Sequence, residues 1–360
     1  MKSYNHLWEK YISDENIKLA INNASLGKRD RNDVKDIYQN PDKHILEIRE
    51  YATHFYNKNH KPKIINDGIT QKKRTIIVPS FMEQIIHHMI VNAMLPMLNG
   101  GMYEHSYASI PGRGSCNGMK QIKKWITNDP KNVKFCFKMD IRKFFDSIPH
   151  DKLKAKLKKT IHDKKFISVL FTLIDVVDIG LPIGFYTSQW LANWYLQGLD
   201  HYIKEELGAS HHIRYMDDIV IFGSNKRKLH RIHQGIEKYL SEKLGLSIKD
   251  NWQVYRFDYI RGGKHFGRCL DFMGFKFYRD HVTLRRNIML RAARKAKKLS
   301  RKEKPSIYEI RQMLAYIGWI DHTNTYGMYC QRIKPYVDIR KFKKRISSYD
   351  RRQKQLKGAT

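Results

Sequence analysis

Acid, cysteine and long apolar runs are the scarce components of this 360-residue sequence. Against 68 Lys+Arg stand only 35 Asp+Glu, a formal net charge of +33. That imbalance exceeds what solubility requires and selects a polyanionic partner. Nucleic acid is favoured over a membrane, because there is no lipidation motif and no strongly amphipathic basic anchor near a terminus. The 4 cysteines, Cys116, Cys136, Cys269 and Cys330, are widely separated. None belongs to a Cys-X-X-Cys or a Cys/His cluster at zinc spacing, which excludes a disulfide framework and leads us to expect reduced, mostly buried thiols in a cytoplasmic protein. The most apolar run, Phe166 to Leu181, is short and carries Asp175 and Asp178, so it is not read as a membrane span. MKSYNHLWEK does not read as a signal peptide, and there are no repeats or long linkers. The length admits one large domain or two or three subdomains. The 21 Tyr, 16 Phe and 6 Trp suit either base stacking or, more commonly, a core.

The acids that are present are placed with purpose. Residues 214 to 223, RYMDDIVIFG, read as two short strands, His212 to Tyr215 and Ile219 to Phe222, joined by a tight turn carrying Asp217 and Asp218. Asp is common in solvated turns, but adjacent carboxylates repel unless a cation neutralises them, and hard oxygens suit Mg²⁺. Upstream, VKFCFKMDIRKFFDSI contains an apolar strand, Phe135 to Met139, that ends in Asp140. If those strands are neighbours in one sheet, the three carboxylates converge. Such a site can hold two divalent ions roughly 3.5–4 Å apart, the arrangement used for nucleotidyl transfer.

Around this centre the chain reads as follows. Residues 4 to 60 are polar and helical, in segments Tyr4–Ser13, Asp14–Ala24, Arg31–Gln39 and Asp42–Asn57, with a basic break at Leu26 to Arg31 that suits a solvated turn better than a phosphate contact. Lys61 to Ser80 alternates as a hairpin turning at Asp67-Gly68, and Lys72, Lys73 and Arg74 on it suit a β-ribbon over a triphosphate. Phe81 to Leu98 reads as an amphipathic helix whose His87-His88 pair lacks a third metal ligand. In HSYASIPGRGS, Gly112 and Gly114 permit close backbone approach and Arg113 offers a fork of donors to a phosphate or template; a helix follows to Trp125. No dinucleotide-binding fingerprint is present. Helices are expected over Asp151–Ile161, Lys165–Val177, Trp190–Glu206 and Lys226–Leu244, a strand over Leu246–Asp250, and a hairpin of Leu270–Phe277 with His281–Leu284. The loop Gly180 to Gln189 opens the third of these helices, where free N–H groups can meet a sugar or phosphate. The remainder is helical and basic: Arg285 to Lys304 and Arg340 to Lys357 are charge runs that fit a nucleic-acid backbone.

In order, the segments KKRTIIVPS, SYASIPGRGS, FKMDIRKFFDSIPH, GLPIGFYTSQWLANWYLQGLD, RYMDDIVIFG, LGLSIKDN and LDFMGFKF resemble a reverse transcriptase over essentially the whole chain. The resemblance implies an α+β right-hand polymerase: an N-terminal helical extension (1–60), fingers (61–135), a palm (136–284) with a helical insertion near 151–179, and a basic helical thumb (285–360). It implies Asp140, Asp217 and Asp218 as catalytic metal carboxylates, with Ile141 joining the metal site, and Mg²⁺, or alternatively Mn²⁺, as a pair of ions. Phe145 matches the aromatic gate against a ribose 2′-OH, and Met273-Gly274 matches the primer grip. Arg285, Arg286, Arg291, Arg294, Lys295 and Lys298 match thumb contacts to nucleic acid. Nucleotide contacts fall to Lys73, Arg74, Arg113, Ile183, Gly184, Gln189 and, as a pyrophosphate proton donor, Lys249.

Within that family the form Ile183-Gly184-x-x-x-Ser188-Gln189 is similar to the reverse transcriptases of diversity-generating retroelements, as are LGKRDRNDV and the IIHH after the first motif. Ile183 cannot donate the hydrogen bond that glutamine gives the incoming nucleotide in retroviral and intron enzymes, so looser discrimination is expected. Intron enzymes carry Arg where Ile110 and Gln84 stand here. The expectation is a bacterial or phage RNA-directed DNA polymerase copying a structured RNA into mutagenised cDNA, with an RNA template, a primer, dNTPs and a small basic helical accessory protein as partners. Its rivals are a stand-alone anti-phage defence reverse transcriptase working with a non-coding RNA, an RNA-dependent RNA polymerase, and a non-catalytic RNA-binding scaffold.

Overall fold

The computed structural model of the chain describes residues 3–56, 60–66 and 73–358. Asn57, the Asp67-Gly68 turn, Lys72 and the first two residues lie outside the described residues. Two compact units emerge: one comprises Met1–Arg113, Phe137–Phe222 and Lys226–Val254, the other Gly114–Cys136, Gly223–Asn225 and Tyr255–Thr360.

The first unit opens with helices α1 (Leu7–Ile12), α2 (Asp14–Ala24), α3 (Asn32–Gln39) and α4 (Pro41–Thr53), followed by the antiparallel pair β1 (Lys63–Asn66) and β2 (Lys73–Ile76). Helix α5 (Phe81–Asn99) starts at a capping box, in which Ser80 accepts from the Glu83 N–H and Glu83 accepts from the Ser80 N–H. It is buried nearly all round rather than amphipathic, because α1, α2 and, later in the chain, residues 186–195 pack against it. His87 is accordingly a core group, its Nδ1 2.9 Å from Thr187 Oγ1, and His88 is half-buried, stacked on Tyr186. The basic break after α2 is also structural, since Lys28 Nζ donates to the Ala24 carbonyl and to Gln84.

Helix α6 (Ser115–Asn128) belongs to the second unit; β3 (Phe135–Asp140) leads back into the first. Then come α7 (Phe144–Ser147), α8 (His150–Lys158), α9 (Lys164–Ile174), α10 (Tyr186–Tyr195), α11 (Gln197–His201), β4 (His211–Tyr215), β5 (Asp218–Gly223), α12 (Lys226–Tyr239) and β6 (Gln253–Arg256). Both α11 and α12 end in a widened π turn. The helix expected from Trp190 begins four residues earlier, at Tyr186, so Ser188 and Gln189 are helical rather than part of the loop. Four strands form a sheet in the order β4-β5-β3-β6. Its apolar residues Phe137, Ile213, Ile219, Val220, Ile221 and Phe222 are buried. The strand expected over Leu246–Asp250 reduces to one bridge, Ile248 to Ile141.

In the second unit a hairpin of β7 (Tyr259–Arg261) and β8 (Lys264–Phe266) precedes a three-stranded antiparallel sheet of β9 (Leu270–Phe272), β10 (Phe275–Phe277) and β11 (Val282–Leu284). The run Leu270–Phe277 is thus two strands. Met273 and Gly274 both take positive φ, 51° and 89°, and turn the chain between them as a two-residue hairpin loop. Helices α13 (Arg286–Ser300), α14 (Ile307–Ile320), α15 (Tyr326–Arg332) and α16 (Ile339–Gly358) complete the chain. Trp319 of α14 stacks on Phe275, and a Cβ on Gly274 would strike the same indole. Of the cysteines only Cys136 is buried; the other thiols are half-buried, a correction to the expectation. Among the described residues no helix is long and apolar enough to cross a membrane.

Candidate active site

The sheet order places β5 beside β3, so Asp140 at the end of one strand meets the turn that opens the other. Tyr215 pairs with Asp218 across β4 and β5, leaving Met216-Asp217 as the two-residue turn. Met216 takes φ 58°, a left-handed conformation that an unbranched, bulky residue adopts only when its surroundings compel it. The Ile141 N–H donates to the Asp217 carbonyl at 3.3 Å, holding the turn against β3. Burial, and then the charge of Asp140, to which it is also hydrogen-bonded, push the Asp217 carboxyl up to about 7. Carboxyls crowded in this way favour a proton or a cation between them. The Asp218 charge adds to this crowding, and hard carboxylate oxygens gathered at a strand end and a turn are of the donor type that suits a divalent ion.

Behind the turn stands Arg214, whose guanidinium holds the Met216 carbonyl. Arg214 is fully buried. Its Nε and Nη2 reach the Asp200 carboxylate at 2.9 and 2.6 Å, and Nη1 donates to Asn193 Oδ1 at 2.9 Å and to the Met216 carbonyl at 3.0 Å. Asn193 Nδ2 donates in turn to the Ala108 carbonyl at 2.8 Å. The HSYAS segment runs beside β4: the Arg214 N–H donates to His105 and the Tyr107 N–H to Arg214, both at 3.0 Å. Every polar arm of the buried pair is satisfied, as burial of charge requires. An arginine at a position of β4 that alternation turns inward was the available cue.

Around the carboxylates the nucleotide candidates separate. Lys249 comes close: its N–H donates to the Asp140 carbonyl at 2.9 Å and its Nζ stands 3.6 Å from Asp140 Oδ2. Phe145 is half-buried beside Phe144, and its carbonyl accepts the Leu181 N–H at 2.6 Å, joining it to the loop before α10. In that loop the Ile183 carbonyl accepts the Ile77 N–H at 2.8 Å, just past β2. Gly184 takes φ 115°, and a Cβ there would run into the Ile77 carbonyl, so only glycine allows this approach. Lys73 and Arg74 on β2 are exposed, as is Gln189 at the start of α10. Arg113 differs: its Nη1 donates to the Tyr103 carbonyl at 2.7 Å, so part of the expected donor fork braces its own loop. Gln84, where intron enzymes have Arg, accepts from Lys28 and donates to the Pro79 carbonyl at 2.9 Å. Ile110 is buried.

In the second unit Met273 is buried at the β9–β10 turn and the Gly274 carbonyl accepts the Arg285 N–H at 2.9 Å. Arg285 is ion-paired with Asp271, and Lys295 donates to Gln312 Oε1 at 2.7 Å. Arg286, Arg294 and Lys298 are exposed, and Arg291 is half-buried.

A carboxylate-bearing β-hairpin docked on a carboxylate-tipped strand, in an α+β chain, defines a palm-type polymerase. The family model of reverse transcriptases (RNA-dependent DNA polymerases) matches residues 58–255, more than half of the chain, and the chain belongs to that family of RNA-directed DNA polymerases. It is 26% identical over 270 residues to the retron Ec73 reverse transcriptase of Escherichia coli, covering 70% of this chain and 80% of that protein. It is also 28% identical over 167 residues to an uncharacterized 91 kDa protein in the cob intron of Schizosaccharomyces pombe, covering 44% of this chain and 20% of that one. Among solved structures, apo telomerase from Candida tropicalis superimposes with a TM-score of 0.49 at 14% identity over 71% of this chain, which spans about half, 52%, of the telomerase chain. The family uses divalent metal ions, in agreement with the carboxylate set.

Proposed function

We propose that this protein copies a dedicated structured RNA into cDNA by two-metal nucleotidyl transfer and does so with low fidelity, in the manner of diversity-generating retroelements. The carrying observation is the meeting of Asp140 with the Asp217-Asp218 turn across β3 and β5. Divalent ions, Mg²⁺ in this reading with Mn²⁺ as substitute, supply charge that activates the primer 3′-hydroxyl and steadies the pyrophosphate. The chain itself positions and discriminates. Phe145 stands as the gate against a 2′-hydroxyl, and Lys249 is the cation placed to hand a proton to pyrophosphate. Lys73 and Arg74 face the triphosphate from the fingers ribbon. Ile183 offers the nucleotide an apolar side chain where a donor would tighten selection, which supports error-prone copying.

In this assignment residues 1–60 extend the fingers (61–135), residues 136–284 form the palm, and the basic stretch 285–360 holds the template–primer duplex. A small basic helical accessory protein is the proposed protein partner, in a bacterial or phage-encoded cytoplasmic system. The similarity to a retron reverse transcriptase favours a second reading, a stand-alone defence enzyme working with a non-coding RNA. Sequencing the RNA that copurifies with the protein, and the DNA made from it with Mg²⁺ and four dNTPs, separates the two. A repeat-flanked template copied with frequent errors supports diversification. Faithful, repetitive or untemplated DNA made with a compact structured RNA supports the second reading, and no DNA synthesis at all overturns both.

A further inference from the structure

The second unit contains a cluster that the polymerase reading does not use. His265 lies in β8, opposite Ile260 of β7, and the turn between β10 and β11 brings Asp280 and His281 against it. One donor atom from each of these three residues lies within 4.8 Å of the others. His265 Nε2 is 3.6 Å from Asp280 Oδ1, and His281 Nδ1 is 2.6 Å from the same oxygen. Ligands around a tetrahedral ion with bonds of about 2.0–2.1 Å stand roughly 3.3 Å apart, so small side-chain rotations close the set around one cation.

The surroundings prepare the ligands. Asp258, with 3% exposure, accepts at Oδ2 from His265 Nδ1 at 2.9 Å and from the Arg279 N–H at 2.7 Å. A carboxylate on Nδ1 fixes the proton there and leaves the lone pair on Nε2, the atom facing Asp280. Carboxylate–histidine pairs play this orienting role behind metal ligands. The His281 ring is clamped as well, stacked on Tyr278 at 4.3 Å with an interplanar angle of 9°, while the Tyr278 N–H closes the turn onto the His281 carbonyl at 2.9 Å. Side-chain exposures of 38%, 50% and 33% for His265, Asp280 and His281 leave the cluster open to ions from solvent.

We propose that His265, Asp280 and His281 form a binding site for a borderline transition-metal cation of the Zn²⁺ class, which ties the β7–β8 hairpin to the β10–β11 turn. Two imidazoles and one carboxylate suit Zn²⁺ rather than Mg²⁺, which prefers all-oxygen ligation and retains its water. Three protein ligands leave a fourth position for water. The site is distinct from the polymerase carboxylates in donor chemistry, and the inference stands whether or not the copying reading holds.

Calorimetric titration of the 360-residue chain with Zn²⁺, in excess Mg²⁺ to occupy oxygen-only sites, tests the proposal. One saturable equivalent is expected. It should be lost in His265→Ala and His281→Ala and weakened about 10–100-fold in Asp258→Asn. Melting curves without Zn²⁺ establish that each variant is folded, and His281→Gln serves if the alanine variant is not. With Co²⁺ as the spectroscopic probe, the site should show nitrogen/oxygen ligation with no thiolate charge-transfer band. Absence of saturable binding, equal binding by the folded histidine variants, or a thiolate band from the half-buried cysteines would each overturn it.

Discussion

Arg214 Nη1 donates to the carbonyl of Met216 at 3.0 Å while the rest of its guanidinium is held by Asp200. A fully buried ion pair therefore holds the peptide that precedes Asp217, the proposed metal carboxylate. Arg214→Met leaves Asp200 buried without its cation, a loss of about 3–5 kcal/mol in unfolding free energy. The double variant Arg214→Met/Asp200→Leu should recover much of that stability, because apolar replacement of a buried pair is often neutral. Its kcat should stay at least tenfold below wild type, since Met216 still lacks its donor. Denaturant melts together with primer-extension rates check this; recovery of kcat along with stability would reduce the pair to a packing element.

Gly184 argues the same way from the backbone. Its φ of 115° and the Ile77 carbonyl that a Cβ would meet make Gly184→Ala costly at two levels, conformation and contact. The expected result is a raised KM for dNTPs, because the Ile183 hydrogen bond to Ile77 must break to make room. Gly27→Ala is the control: φ is 74° but a Cβ there meets nothing within 4 Å. It should lower stability by about 1 kcal/mol and leave KM unchanged.

How much of this was legible in the sequence depended on where the determining interaction lay. The meeting of Asp140 with the Asp217-Asp218 turn was readable because these acids end or open apolar runs with strand periodicity, and the sheet order joins those runs. The β7–β8 hairpin was missed although Gly262-Gly263, with φ of 56° and 72°, is a recognised turn pair; its strands are exposed and carry no apolar alternation. Helix α5 was misjudged as amphipathic because burial on its polar-looking face, His87 included, depends on partners 100 residues away. The Leu246–Asp250 segment failed as a strand because it offers only one bridging position to β3's extension. Asp200 and Arg214 were invisible as a pair, since nothing local connects a helix end to a strand centre.

Buried neutral histidines set the acid limit of the fold. Desolvation holds His87 down to about 3 and His212 down to about 4, the latter against the opposing pull of Asp200. The unfolded chain takes up these protons near pH 6.5 while the native state refuses them, so stability is full above that pH and falls as pH drops below it. Each histidine contributes a slope of about 1.4 kcal/mol per pH unit. Urea melts between pH 7 and 5 should show this decline, and His87→Gln, which keeps a partner for Thr187, should make it shallower. An unchanged slope in that variant would mean His87 is protonated in the native protein.

Phe145 carries the proposed choice between deoxyribose and ribose. Its ring is half-buried against Phe144 and its carbonyl is fixed by the Leu181 N–H, so the side chain stands on backbone that cannot easily withdraw. A gate of this kind works by steric exclusion, and shaving it to a methyl removes the clash without removing any donor or acceptor. Phe145→Ala should therefore raise kcat/KM for rNTPs relative to dNTPs by about 10–200-fold, the range that one apolar contact can discriminate. Overall dNTP incorporation should change much less, because the carboxylates and the Gly180 loop remain in place. Single-nucleotide extension with matched dNTP and rNTP gives the ratio directly. An unaltered ratio in a folded, active variant would remove Phe145 from the gate and leave sugar selection to other contacts.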